Sequence, residues 1–121
     1  MKLSLLEEMG LTSDAQHNLS EFREYISIIE EAYQTQLNRA VDDEGLRTYF
    51  AAMTQGLTES QLYEILARSA EAKIKIMNLL KRFNRTSEID YFVDLLAMRQ
   101  LQSLQQLAEN LRLDSILAKL I

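Results

Sequence analysis

The stretch GLTESQLYEIL, residues 56–66, closes one helix and opens the next within a few residues. Gly56 can take the left-handed conformation that ends a helix, which a side chain disfavours. Thr58 is a strong N-cap residue, and Gln61 stands three positions later. At that spacing each side chain can satisfy a backbone N–H beside the other. Helix ends this sharply marked predict short connections. Short connections make sequential helices antiparallel neighbours, which is the geometry of a helical bundle.

Working upstream, Leu46, Tyr49, Phe50 and Met53 give a helix over about residues 44–55, capped by Asp42 or Asp43. Before it, Leu19, Phe22, Ile26, Ile29, Tyr33, Leu37 and Ala40 recur at steps of three and four. They predict a helix from about Ser20 to Val41, roughly 30 Å long at 1.5 Å per residue. Downstream, the helix that Thr58 opens is expected to run from Glu59 to Phe83. Its run KIKIMNLLKRFNR, residues 73–85, is apolar nearly all round and reads as a central, buried helix, with Leu66 and Leu80 in the core. Asn84-Arg85 breaks it, Thr86 or Ser87 caps a fourth helix to about Leu111, and a last turn covers 115–120. A short N-terminal helix carries Leu3, Leu5, Leu6 and Met9 and stops at Gly10 before the polar stretch TSDAQHN. The expected fold is therefore all-α: an antiparallel bundle of four main helices, long, short, long, long. Residues 1–18 form a terminal helix and linker, and 19–121 form the bundle domain.

Composition narrows the function. The 121 residues suit one domain, and 47% apolar with 26% charged residues is ordinary for a globular chain. Proline is absent and glycine occurs three times, so nothing signals a hairpin or a linker. With no cysteine there is no disulfide or thiolate nucleophile, which fits a reducing, cytoplasmic setting. No apolar run of membrane-spanning length exists, and Glu7 and Glu8 interrupt any signal-peptide pattern. The net charge of −5 disfavours nucleic acid. Charge is unevenly placed: residues 1–64 hold twelve acids and four bases, residues 65–121 six acids and nine bases. The acidic half suits a basic partner or an antiparallel copy of the chain.

No catalytic, cofactor or metal residue is assigned. The single histidine, His17, lies in the polar stretch, one helical turn from Glu21 but without a nucleophile. Asp42, Asp43 and Glu44 sit where acids complement a helix N-terminus and lack the ligand alternation of a calcium loop. Asp90 and Asp94 pair on one face, yet no Glu-x-x-His pair exists to build a di-iron bundle.

The faces of the helices are more informative. Tyr25, Ile28 and Ala32 form a second stripe beside the main one, so the apolar arc of the first helix approaches roughly 200°. The fourth helix likewise begins with Tyr91 and Phe92 among further apolar residues. Surplus apolar surface needs a cover. A second copy, a partner or the N-terminal segment could supply it. A symmetric homodimer interface is expected at Tyr25, Ile28 and Ala32, with Tyr91 and Phe92 contributing.

The helix order resembles a group of bacterial regulatory modules: the N-terminal dimerisation domain of RsbU-type stress-response phosphatases and the C-terminal domain of the circadian regulator KaiA. The matching pieces are FREYISIIEEAYQTQL (22–37), EGLRTYFAAM (44–53), TESQLYEILARSAEAKIKIM (58–77) and NRTSEIDYFVDLLAM (84–98). The resemblance implies a homodimer that binds a protein partner in a signalling pathway. It carries over no phosphatase activity and no functional residue. The expected function is thus a non-enzymatic regulatory or signalling interaction domain with no nucleic-acid or membrane partner. The alternative is a small stand-alone binder such as an immunity protein, antitoxin or secretion chaperone.

Overall fold

The computed structural model describes residues 19–120, so the expected helix at 2–9, the turn at Gly10 and His17 lie outside the described residues. The described chain is all-helical. Its elements are α1 (Leu19–Leu37), α2 (Asp43–Thr54), α3 (Glu59–Ala67), α4 (Ala70–Lys81), a 3-10 turn (Thr86–Glu88), α5 (Ile89–Ala97) and α6 (Leu104–Leu120).

The stretch around Gly56 behaves as its residues dictate. Gly56 has φ +112°, its N–H reaches the Met53 carbonyl, and the Leu57 N–H reaches Ala52. That is the Schellman closure, which satisfies carbonyls that the helix end would orphan. Thr58 then accepts from the Gln61 N–H at 3.1 Å while Gln61 Oε1 accepts from the Thr58 N–H at 2.9 Å, a complete capping box. Asp42 caps α2 by accepting from Gly45 N at 2.7 Å.

Two expected long helices are each broken in two. α3 ends after Ala67 because Ser69 takes up helix-end duties. Its hydroxyl donates to the Leu66 carbonyl at 2.6 Å and accepts from the Ala72 N–H at 3.2 Å, starting α4 afresh. The expected helix to Leu111 stops at Ala97. There Arg99 adopts φ +59°, its N–H bonds Leu96, and the Gln100 N–H bonds Leu95 at 2.9 Å. Ser103 accepts from the Gln106 N–H at 3.0 Å at the start of α6, which then absorbs the turn expected at 115–120. α1 also stops earlier than Val41, at Leu37, where Asn38 has φ +54°.

Splitting the helices creates two joined cores. The first gathers Ile29, Ala32, Tyr33, Phe50, Leu62 and Leu66 from α1, α2 and α3. The second gathers Ile76, Leu80, Leu96, Leu107 and Leu111 from α4, α5 and α6. α2 runs antiparallel to α1: Gly45 at its start lies against Tyr33, whereas Phe50 further along meets Phe22 and Tyr25, at 5.4 and 6.2 Å between ring centroids. α3 and α5 pack together across the two halves. α4 is not the all-round buried helix its sequence suggests. Ala72, Ile76 and Leu80 are buried on one face while Ile74 is exposed, because the break at Ser69 leaves α4 on the flank of the second core. Leu66 and Leu80 are buried as expected.

An ionic knot ties α1 to α4. Arg39 binds Glu71 with two parallel hydrogen bonds of 2.7 and 2.9 Å, and Lys75 reaches both Glu71, at 2.8 Å, and the free Leu37 carbonyl, at 2.5 Å. The Arg39 and Lys75 hydrogen bonds hold the Glu71 carboxyl at about 2. Nearby, Gln36 is fully buried and donates to Thr35 Oγ1 and to the Gln102 carbonyl, joining α1 to the loop before α6.

Candidate interaction surface

The five residues expected at an interface are scattered by the fold. Ala32 is fully buried and Phe92 is 6% exposed, both inside the single chain. Tyr25 and Ile28 are half-buried against the first core. The wide arc of α1 is used because α2, α3, α4 and α6 all touch that helix. Sequence periodicity counts apolar faces but not how many neighbours a helix has. Tyr91 alone stands out, at 58% exposure, edge-on to Phe92 with ring centroids 5.1 Å apart.

The acidic residues singled out in the sequence have structural partners. Asp42 is the α2 cap, and Asp43 and Glu44 fill the first turn behind it. Asp94 accepts from Arg68 at 2.8 Å. Among the described residues no group of three His, Cys, Asp or Glu side chains could hold a metal ion. No described helix is long and apolar enough to cross a membrane.

Among the described residues, the exposed large apolar side chains concentrate at the end of α6. Its first half is an ordinary core helix, with Leu104, Leu107 and Leu111 buried. Beyond Leu111 no residue of the helix is buried. Leu113, Ile116, Leu117 and Leu120 are 51, 46, 57 and 77% exposed. Their spacing of i, i+3, i+4 and i+7 makes one stripe roughly 10 Å long at 1.5 Å per residue. At 100° per residue the stripe points roughly 160° away from the buried face, so further docking onto the second core cannot cover it. Singly exposed apolar residues such as Ile74 are normal on a protein surface, whereas a contiguous stripe requires an explanation.

The stripe is held on a fixed support. Arg85 binds Glu88 through two hydrogen bonds of 2.6 and 2.8 Å and Asp114 of α6 at 2.9 Å. Its guanidinium also lies over the Phe92 ring at 5.1 Å. The Glu88 and Asp114 hydrogen bonds raise the Arg85 pKa further, and the Arg85 hydrogen bond lowers that of Glu88. One cation thus fixes the start of α5, with its Tyr91–Phe92 pair, to the exposed half of α6.

One edge of the stripe carries two bases, with the exposed Glu109 one turn before them on the line of the stripe. Arg112 and Lys119 are seven residues apart, two turns on the same side of α6. Arg82 lies on that side too, in a groove of about 570 Å³ between α4 and α6 whose walls include Leu79, Leu104 and Ala108. None of these three cations forms an ion pair among the described residues. The opposite edge holds Asn110 and Asp114, the latter engaged by Arg85.

The stripe went unassigned in the sequence because the helix was expected to end at Leu111, with a separate turn from 115. The spacing of residues 113, 116, 117 and 120 was itself legible. No family model matches the chain, and no curated protein or solved structure was found to be similar to it.

Proposed function

We propose that this chain is a regulatory or signalling interaction domain without a reaction of its own, and that it works by docking another protein. The observation that carries this reading is the stripe Leu113–Leu120: apolar side chains at helical spacing, exposed, turned away from their own core, and braced by Arg85. Burying them releases ordered water and is favourable in proportion to area, about 25 cal/mol per Å². A protein surface at the end of α6 supplies that burial. The homodimer expected at Tyr25, Ile28 and Ala32 loses its main ground, because one chain already covers most of that arc.

Affinity capture with the full chain tests this. A protein that is retained by the wild type and released by Ile116→Asp with Leu117→Asp, at an unchanged unfolding midpoint, supports the docking role. Equal retention by both forms refutes it. Light scattering on the same samples reports whether the released protein is a second copy.

A further inference from the structure

We propose that the joint between α5 and α6 is a hinge with a bent and a straight state, and that two straightened copies of the chain exchange α6 to form a domain-swapped dimer. The exchange is separate from the docking role and does not use the stripe Leu113–Leu120.

The ground is a mismatch between the residues of the joint and its conformation. Residues 98–103, MRQLQS, contain no glycine or proline. Methionine, arginine, glutamine and leucine are good helix formers, so the local sequence favours one continuous helix through the joint. The bend instead requires Arg99 at φ +59°. That region crowds Cβ against the backbone and is costly for residues other than glycine and, to a lesser degree, asparagine. Among the described residues the other positive-φ positions are Gly56, Asn38 and Asn84, types that suit it. At Arg99 the bend is held from outside the joint. The guanidinium lies over the Tyr63 ring at 4.0 Å and meets Glu59 at 3.1 Å. The hold underneath is imperfect: Gln36 Nε2 reaches the Gln102 carbonyl only at 3.4 Å, and Gln36 Oε1 is buried without a hydrogen-bond partner among the described residues. A buried acceptor left unpaired weakens the bent form.

The topology permits exchange. α6 is joined to α5 but packs on α1 and α4. Leu104, Leu107 and Leu111 enter the second core, and Asp114 meets Arg85, all beyond the joint. In a swapped dimer an identical α6 from the second copy remakes each of these contacts. The backbone also stays paired. The N–H groups of Arg99, Gln100 and Leu101, now bonded to Leu96 and Leu95, find helical carbonyls four residues back. The two forms then differ in the state of the joints and in the entropy of association, and a short joint under strain is what invites exchange.

The test uses the full chain. Arg99→Ala and Arg99→Gly both delete the guanidinium contacts and differ in backbone preference: alanine favours the helix, glycine the left-handed bend. Each dimer straightens two joints, so a preference of about tenfold per joint makes Arg99→Ala associate about a hundredfold more tightly than Arg99→Gly. Light scattering behind size exclusion, on samples equilibrated over a range of concentrations, measures this. Equal association, or two variants that both stay monomeric at the highest soluble concentration, overturns the proposal. Complementation separates exchange from side-by-side pairing. In the Arg99→Ala background, Arg85→Glu and Asp114→Arg each set like charges against one another within one chain. A swapped heterodimer of these two chains restores an opposite-charge pair at both sites. Native mass spectrometry of the mixture should show heterodimer well in excess of random pairing, and random pairing overturns exchange. Should a charge variant fail to fold, Ile116→Asp decides: a dimer that it abolishes pairs through the stripe and overturns exchange while leaving the docking role, and a dimer that survives it with the Arg99 preference supports exchange whatever becomes of that role.

Discussion

Gly45→Ala is expected to destabilise the protein, although Gly45 lies in a helix, where alanine is normally the better residue. In an open helix interior the exchange favours the folded state by about 1 kcal/mol. Here the added Cβ would collide with the Tyr33 hydroxyl, with Tyr33 Cζ at 3.0 Å and Asp42 Oδ1 at 2.8 Å. Neither neighbour moves freely. The Tyr33 ring is buried beside Tyr49 and under Arg39, and the Asp42 carboxylate caps α2 through Gly45 N. Overpacking of this kind costs about 1–3 kcal/mol. The clash outweighs the propensity gain, leaving a net loss of about 1 kcal/mol. Urea unfolding followed by circular dichroism measures it. Because the closest collision is with one oxygen, Tyr33→Phe should relieve part of it. In that background the cost of Gly45→Ala should fall by about 1 kcal/mol, a coupling that a double-mutant cycle isolates. A stabilising Gly45→Ala, or a cost unchanged by Tyr33→Phe, would show that α2 does not approach α1 as closely as described.

Three further outcomes are expected. Thr58→Ala removes one half of the capping box and should lower stability by about 1 kcal/mol with an unchanged denaturant slope; no shift in midpoint would mean that α3 starts elsewhere. Leu80→Ala, at a fully buried site in the second core, should cost about 2–5 kcal/mol, and a loss under about 0.5 kcal/mol would contradict its burial. Glu71 has its carboxyl depressed from 4.5 to about 2, so the ionic knot contributes in full above 4.5 and is lost as pH falls from there towards 2. Glu71→Gln should flatten acid unfolding over that window, and an acid limb identical to wild type would place the pH sensitivity in other carboxylates.

The sequence by itself determined the helical class and part of its punctuation; Thr86 and Ser87, expected to cap the fourth helix, lie instead in the 3-10 turn and make no capping hydrogen bond. Gly56, Thr58 and Asp42 act where their residue types require, because caps are local chemistry: a side chain and a backbone N–H a few positions away. Asn84, with φ +56°, ends α4 for the same reason. The break at Ser103 was also readable, since Ser103 and Gln106 repeat the spacing of Thr58 and Gln61. The break at Arg99 was not. Arginine gives no left-handed signal, and what holds it there is tertiary: its guanidinium lies over the Tyr63 ring at 4.0 Å and meets Glu59 at 3.1 Å, both on α3. Only the tertiary structure decided which apolar stripes are spent and which are free. Tyr25, Ile28 and Ala32 looked surplus on a helical wheel, but α1 has neighbours on several sides, so Ala32 is buried and Tyr25 and Ile28 are half-buried. Leu113, Ile116, Leu117 and Leu120 looked like one more amphipathic turn, but α6 outruns its core and leaves them uncovered. A helical pattern gives a face its direction along the chain's own axis. Whether anything stands opposite that face depends on where the other helices end, and that is a property of packing rather than of local sequence.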